Sequence, residues 1–302
     1  MIRPLQSHDS LLADIHASDR RDGGFRLWWL GQSGFLLQWQ GIHVLLDPYL
    51  SDSLSKKYSQ TETPHVRMTE LVIGPARLSM ADIVTSTHNH TDHLDAETLC
   101  PILAANPRLK LVIAEANRAF VADRLKIDAG VAIGLDDGTS VEISGIRFCG
   151  VASAHEALER DEHGRAKYLG YVLQFGGWTL YHSGDTVRYE GMSEKLRPFG
   201  IDVALLPING RAPERRVPGN LFGREAAQLA RDIEAKLVIP CHFDMFEFNT
   251  ASPDEFIHQC QTLGQPFKVL RGGEQWHLRS WRETRPSEQS RDRKDKKDKK
   301  VC

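Results

Sequence analysis

Apolar residues along this chain come in short runs of four to eight, and many of the runs stop at a polar side chain capable of chemistry. Residues 25–30 and 34–39 are rich in Trp, Phe and Leu and are split by Gly31-Gln32-Ser33, which predicts two strands joined by a tight turn. A third strand, 43–46, runs into Asp47-Pro48. Residues 83–87 and 109–113 read as strands too. Asp136-Asp137-Gly138 is a turn signal, and 139–143 with 146–151 then predict a hairpin around Ser144-Gly145. Residues 168–175 and 178–182 flank Gly176-Gly177, and 203–206 and 237–240 complete the strands. Helical spacing predicts helices at 11–17, 96–105, 114–125 and 223–233. A last helix opens at Ser252-Pro253-Asp254, where Ser252 or Asp254 can cap it. Residues 51–70 are polar without a period and predict a long surface loop, and the charged stretch 156–167 predicts another.

Strands with helices occur twice in succession, with no internal repeat and no Ser/Gly-rich linker between the blocks. Two sheets packed together with helices outside is the architecture this implies, an α/β (α+β) fold. Trp28, Trp29, Phe35 and Trp39 lie on the first two strands, where packing between sheets suits them. The domain is expected over residues 25–283, after a polar lead-in at 1–24 and before a tail at 284–302 that is expected to be disordered for want of apolar residues.

Charge alters this picture little. The net charge is −2, so the chain carries no nucleic-acid signature. The average hides residues 285–302, which hold eight Lys/Arg against four Asp/Glu and leave −6 for the rest. The five cysteines form no CxxC pair and are odd in number, which argues against a disulfide framework and for a reducing, cytoplasmic compartment. The sequence has no signal-peptide pattern, no span of ~20 apolar residues and no basic amphipathic helix, so no stable membrane association is expected.

The chemistry is concentrated in His88-Asn89-His90-Thr91-Asp92-His93. Three imidazoles and a carboxylate stand within six residues between a strand and a helix start. Such ligands suit Zn, Mn, Fe or Ni rather than metals that favour thiolates. If the run is extended, alternate residues face opposite ways, so His88 and His90 share one metal while Asp92 and His93 turn to another. One loop cannot fill two metal shells, and His155, Asp185 and His242, each at the end of a predicted strand, are the candidates to complete them. A carboxylate such as Asp185 can bridge two ions through its two oxygens. His8, His16, His65, His163, His258 and His277 read as structural or surface residues.

The segment 87–95 resembles the HxHxDH signature of the metallo-β-lactamase superfamily, and four further motifs follow that family's order. They are Asp47 in Leu46-Asp47-Pro48, His155 in Ser153-Ala154-His155, Asp185 in Ser183-Gly184-Asp185-Thr186, and His242 in Pro240-Cys241-His242. The resemblance covers about residues 25–280. It implies a four-layer αβ/βα sandwich with two divalent ions, Zn or Mn, between the sheets at one edge. It also implies that His88, His90 and His155 bind one ion, that Asp92, His93 and His242 bind the other, and that Asp185 bridges. Asp92 and Asp185 are then the catalytic carboxylates, and Asp47 accepts a hydrogen bond from a ligand histidine.

Residues 28–35, 180–185, 201–205 and 235–240 look like the branch that contains L-ascorbate-6-phosphate lactonase, although residues 156–167 differ from it. That likeness implies attack of a metal-activated hydroxide on a lactone or ester of a small anionic metabolite. The same metal motif resembles N-acylphosphatidylethanolamine phospholipase D relatives, which makes phosphodiester hydrolysis the alternative. A non-catalytic metal-binding role is a third reading. Asn209 and Arg211, on the loop after strand 203–206, are the expected contacts to an anionic substrate, with Arg215, Arg216, Lys56, Lys57 and Tyr58 nearby in sequence to one or other loop. Homo-oligomerisation is left open.

Overall fold

In the computed structural model, which describes residues 1–18 and 23–280, the chain enters through helix α1 (His8–Ala17) and a three-strand meander. The meander is β1 (Phe25–Gly31), β2 (Gly34–Trp39) and β3 (Ile42–Leu46). Helix α2 (Ser53–Tyr58) follows, then β4 (Ile83–Ser86), α3 (Ala96–Ala105), β5 (Lys110–Ala114), α4 (Arg118–Leu125) and β6 (Ala132–Leu135). The second half runs β7 (Ser140–Ile143), β8 (Ile146–Ala152), β9 (Leu169–Phe175), β10 (Trp178–His182), α5 (Met192–Leu196) and β11 (Val203–Pro207). It closes with α6 (Gly223–Asp232), β12 (Leu237–Cys241), α7 (Asp254–Leu263) and β13 (Gln275–Leu278).

Two mixed sheets result. One has the order β13-β1-β2-β3-β4-β5-β6 and the other β12-β11-β10-β9-β8-β7. Side-chain alternation along β1 shows how the layers form. Leu27 and Trp29 join the main core, which draws on both sheets and includes Phe35, Leu37, Tyr171, Leu173 and Leu205. Trp28 and Leu30 point the other way, into a second core with Leu11 and Ile15 of α1, Leu99 and Ile102 of α3, and Val121 of α4. A strand covered on both faces reads as a continuous apolar run, which is why β1 shows no polar alternation. The four-layer αβ/βα sandwich expected from the motifs is the fold observed. Among the described residues no helix is long and apolar enough to cross a membrane.

Several boundaries differ from expectation. The lead-in is held to the domain through the buried Leu11 and Ile15, and the Trp28 indole donates to Asp14 Oδ2 at 2.8 Å. The predicted helix at 114–125 gives up its first turn: Ala114 ends β5, a 3-10 turn covers Glu115–Asn117, and the α-helix starts at Arg118. Asn117 Nδ2 donates to the Lys167 carbonyl at 2.8 Å, which ties that turn to the other half of the chain. Strand β6 had no periodic signal, because it is four residues long and Gly134 must pass close to the Glu115 carboxylate. Helix α2 is a six-residue structured piece within the stretch expected to be loop. The charged tail expected at 284–302 lies outside the described residues.

Candidate metal centre

The site lies where strands end. Asp47 follows β3, the 88–93 run follows β4, His155 follows β8, Asp185 follows β10 and His242 follows β12. Residues 88–93 are not extended. The amides of His93 and Leu94 both return to the His90 carbonyl, at 3.1 and 2.8 Å, so the run is a tight turn leading into α3. The turn nevertheless sorts the side chains in the expected way. Atoms of His88, His90 and His155 converge in one group, and atoms of Asp92, His93, Asp185 and His242 in another, all within 4.8 Å of one another inside each group.

Asp185 lies between the two groups. Its Oδ1 is 3.2 Å from His93 Nε2, while its Oδ2 is 3.3 Å from His242 Nε2 and 3.5 Å from His155 Nε2. Asp92 Oδ2 is 3.3 Å from His242 Nε2. Gly184 makes this placement possible: its φ is +58°, and a Cβ there would come within 2.7 Å of the Thr87 side chain. Asp47 (φ +39°), His242 (φ +61°) and Gln32 (φ +51°) also hold left-handed backbone, which costs side-chain-bearing residues energy and tends to be kept where a site requires it.

Two of the imidazoles are anchored from behind. His93 Nδ1 donates to Asp47 Oδ2 at 2.7 Å, and His155 Nδ1 donates to the Gly219 carbonyl at 2.9 Å. Each bond fixes a tautomer that leaves Nε2 with a free lone pair towards the centre. His88 Nε2, His93 Nε2 and Asp185 Oδ1 are buried without a hydrogen-bond partner. Buried polar atoms are rarely left in that condition. Asp47, His88 and His93 also converge, but Asp47 already accepts from Thr85, Thr87 and His93.

Charge in the cluster is balanced internally. Burial would raise the carboxyls of Asp92 and Asp185, yet facing histidines hold both well below the usual carboxylate range. Burial lowers His242, but Asp185 and Asp92 outweigh it and lift the imidazole to about 9. His90 moves the other way, to about 4, through burial and the neighbouring His155. Burial and the His93 charge hold His88 well below its ordinary value. The His88/His90/His155 group is thus neutral and ready to donate lone pairs. In the other group two carboxylates attract the positive charge that a divalent cation would bring. Donor types, orphaned atoms and charge all fit a metal centre.

A cavity of about 600 Å³ opens over the cluster, lined among others by His90, Asp92, His155, Asp185 and His242. Its walls also carry Lys57, Tyr58, Arg124, Lys167, Arg216 and Phe246. Asn209 and Arg211 are not among its lining residues. Arg211 is turned onto α6, where it grips Glu225 through both Nη atoms at 2.6 and 2.8 Å and covers the Phe222 ring. Asn209 is buried, donates to Asn249 and accepts from Asn220. Both were expected to contact substrate; in this structure each is held by neighbouring protein groups, and Arg211 lines a hollow beside the cavity, with Arg216, rather than the cavity itself. Arg211→Ala should leave KM unchanged and cost about 0.5–1 kcal/mol of stability, because the ion pair is partly exposed; a tenfold rise in KM would contradict this placement. Lys56 likewise pairs with Glu97.

Residues the sequence reading passed over stand in the site. Gln32 Nε2 donates to Asp92 Oδ2 at 2.8 Å and lies 3.0 Å from His242 Nε2. The ring of Tyr168 is 5.2–5.9 Å from those of His88, His90 and His155. His65, expected to be a structural or surface residue, stacks on Tyr58 at 4.3 Å and lines the cavity. Gln32 had no signal beyond its place in a Gly-Gln-Ser turn, and the partners of His65 are distant in sequence.

Comparison with known proteins agrees with the geometry. The sequence profile of the beta-lactamase superfamily domain matches residues 26–242. A protein of Rubrobacter xylanophilus named UPF0173 metal-dependent hydrolase is 28% identical over 262 residues, covering 84% of this chain and 96% of the relative. Igni18, a metallo hydrolase from Ignicoccus hospitalis, superposes with a TM-score of 0.62 at 21% identity over 84% of this chain and 98% of that one. An isothiocyanate hydrolase from Delia radicum gut bacteria superposes at 0.67 with 18% identity, over 83% and 98%. At these identities the two structures share the fold with this chain and say nothing of its substrate.

Proposed function

The chain belongs to the beta-lactamase superfamily, and from that membership and the geometry of the site we propose that it is a metal-dependent hydrolase acting on a lactone or related ester of a small anionic metabolite. The observation that carries the reading is the convergence of seven donor side chains in two adjoining groups at a cavity, with Asp185 in reach of both. The name of the Rubrobacter relative supports the hydrolase class. The lactonase-like stretches at 28–35 and 180–185 support the choice of a carbonyl centre, and Lys57 and Arg124 on the cavity wall favour an anionic substrate.

In this reading His88, His90 and His155 would hold one ion and Asp92, His93 and His242 the other, with Asp185 within reach of both groups. Bound there, two Zn or Mn ions would supply a water activated at neutral pH and polarisation of the scissile carbonyl. The chain does the rest. Asp47 and the Gly219 carbonyl keep the imidazoles of His93 and His155 in the required tautomer. Gln32 holds the Asp92 carboxylate in place. The cations of the cavity wall orient the anionic end of the substrate. A cytoplasmic location suits the four described cysteines, which all stand free.

Metal content is the first check. Mass spectrometry should find two ions per chain, and His242→Ala should retain about one; a full pair in that variant would remove His242 from the ligand set. An NMR time course on zinc- or manganese-loaded protein, against a mixture of L-ascorbate 6-phosphate, a simple sugar lactone and a phosphodiester, tests the reaction. Loss of a lactone with the phosphodiester untouched is the expected result. Loss of the phosphodiester alone would overturn the carbonyl assignment, since the same centre suits in-line attack on phosphorus.

A further inference from the structure

Arg124 of α4 is the cation of the cavity wall whose hydrogen bonding is left half used. Its Nη1 donates to the carbonyls of Asn89 and Leu94, at 2.8 and 3.2 Å, and so ties the helix to the 88–93 turn. Its guanidinium carbon lies 4.4 Å from the centre of the Phe120 ring, which fixes the plane of the group. Among the described residues, Nε and Nη2 have no hydrogen-bond partner and no carboxylate stands within ion-pair distance. Three other cations near the site are paired: Arg216 with Glu62, Lys167 with Glu159 and Arg211 with Glu225. Arg124 is half-buried, and burial pulls its pKa down, with Asp95 and Tyr58 opposing only weakly.

The unused atoms matter because of their geometry. Nε and Nη2 form the side edge of a guanidinium, where two parallel N–H bonds match the two oxygens of a carboxylate or phosphate. Arg118, at the start of the same helix, uses that edge on Glu115, with Nε to Oε1 at 2.9 Å and Nη2 to Oε2 at 2.6 Å. On Arg124 the edge is free, on a group that is immobilised and partly desolvated, and the residue lines the cavity over the metal cluster.

We propose that Arg124 determines substrate specificity by gripping a carboxylate or phosphate of the substrate through Nε and Nη2, while Nη1 stays on the 88–93 turn. The proposal rests on the hydrolase reading for its context, although anion binding can be measured without turnover. Because one planar group would hold both the turn and the anion, the distance from the anion to the reacting bond is set by the fold. Lys57, whose ammonium lies 5.0 Å over the Tyr58 ring and has no carboxylate partner among the described residues, adds unpaired positive charge on the cavity wall.

The test compares metal-loaded wild type, Arg124→Gln and Arg124→Lys on 4-nitrophenyl acetate and on mono-4-nitrophenyl succinate, which carries a free carboxylate. Calorimetric titration with succinate and with inorganic phosphate runs alongside, and metal content is measured for every variant. Arg124→Gln should lose about 10- to 100-fold in kcat/KM on the charged ester, through KM, and change by less than about twofold on the neutral one. Its affinity for one of the two anions should fall by the same factor, and the anion affected names the group recognised. Arg124→Lys should recover only part of the loss, since it restores the charge without the fork. An equal loss on both esters together with lost metal would reduce Arg124 to a brace for the turn and overturn the proposal. If wild type cleaves neither ester, the hydrolase reading fails on these substrates and the titrations decide; anion affinities unchanged in Arg124→Gln would then sink the subsite.

Discussion

Asp185→Asn is expected to lower turnover by on the order of a thousandfold, about 4 kcal/mol of barrier, while the chain still folds. The size follows from position. Asp185 is the residue whose two oxygens reach both ligand groups, and it is 3% exposed, so its charge acts in a poorly screened setting. Asparagine keeps the volume but loses the negative charge, and its NH2 cannot serve as a second oxygen ligand. Opposed to His93 and His242, that NH2 would also face groups suited to a carboxylate partner. Folding should survive, because Asp185 belongs to the metal cluster and neither apolar core depends on it. Turnover, metal content and thermal unfolding measured together separate the effects. Near-normal turnover with two ions bound would remove Asp185 from the bridging role.

The contrast between Asp185 and Arg211 shows what the sequence could reveal. The residues that converge in the two donor groups were legible because metal-binding chemistry depends on residue type and on a place at a strand end, and both are local. Strands β1–β5 and β7–β12 were legible for a similar reason: apolar runs bounded by Gly, Asp and Pro carry their own punctuation. The placing of Arg211 was not legible, because the fate of a long cation is decided by whichever carboxylate the fold brings near, here Glu225 on the following helix. Arg124 was missed for the converse reason. It sits on an ordinary helix face, and only the tertiary contact with Asn89 and Leu94 shows that it touches the site. Strands β6 and β13 are four residues long and pair with elements already placed, so pairing rather than propensity creates them.

Replacing Asp47 should be the most damaging change among residues that are not themselves assigned as ligands. Its carboxylate is wholly buried and accepts from the Thr85 hydroxyl at 3.0 Å, the Thr87 amide at 3.1 Å, the Thr87 hydroxyl, and His93 Nδ1 at 2.7 Å. Every neighbour donates, so the site is built for an acceptor with two oxygens. In Asp47→Asn, one of those donors must meet an NH2. If the NH2 faces His93, the ring can answer only by moving its proton from Nδ1 to Nε2, and the lone pair meant for the metal is lost. Metal affinity should fall about 10- to 100-fold, with the loss concentrated in the ion assigned to His93. Asp47→Ala should do the same and also destabilise the fold by about 3–5 kcal/mol, since it leaves several buried donors unmatched. Competitive chelator titration gives the affinity and denaturant unfolding of the metal-free protein gives the stability, so the two effects are read separately. Wild-type affinity in Asp47→Asn would show that the tautomer of His93 is fixed by something other than this hydrogen bond.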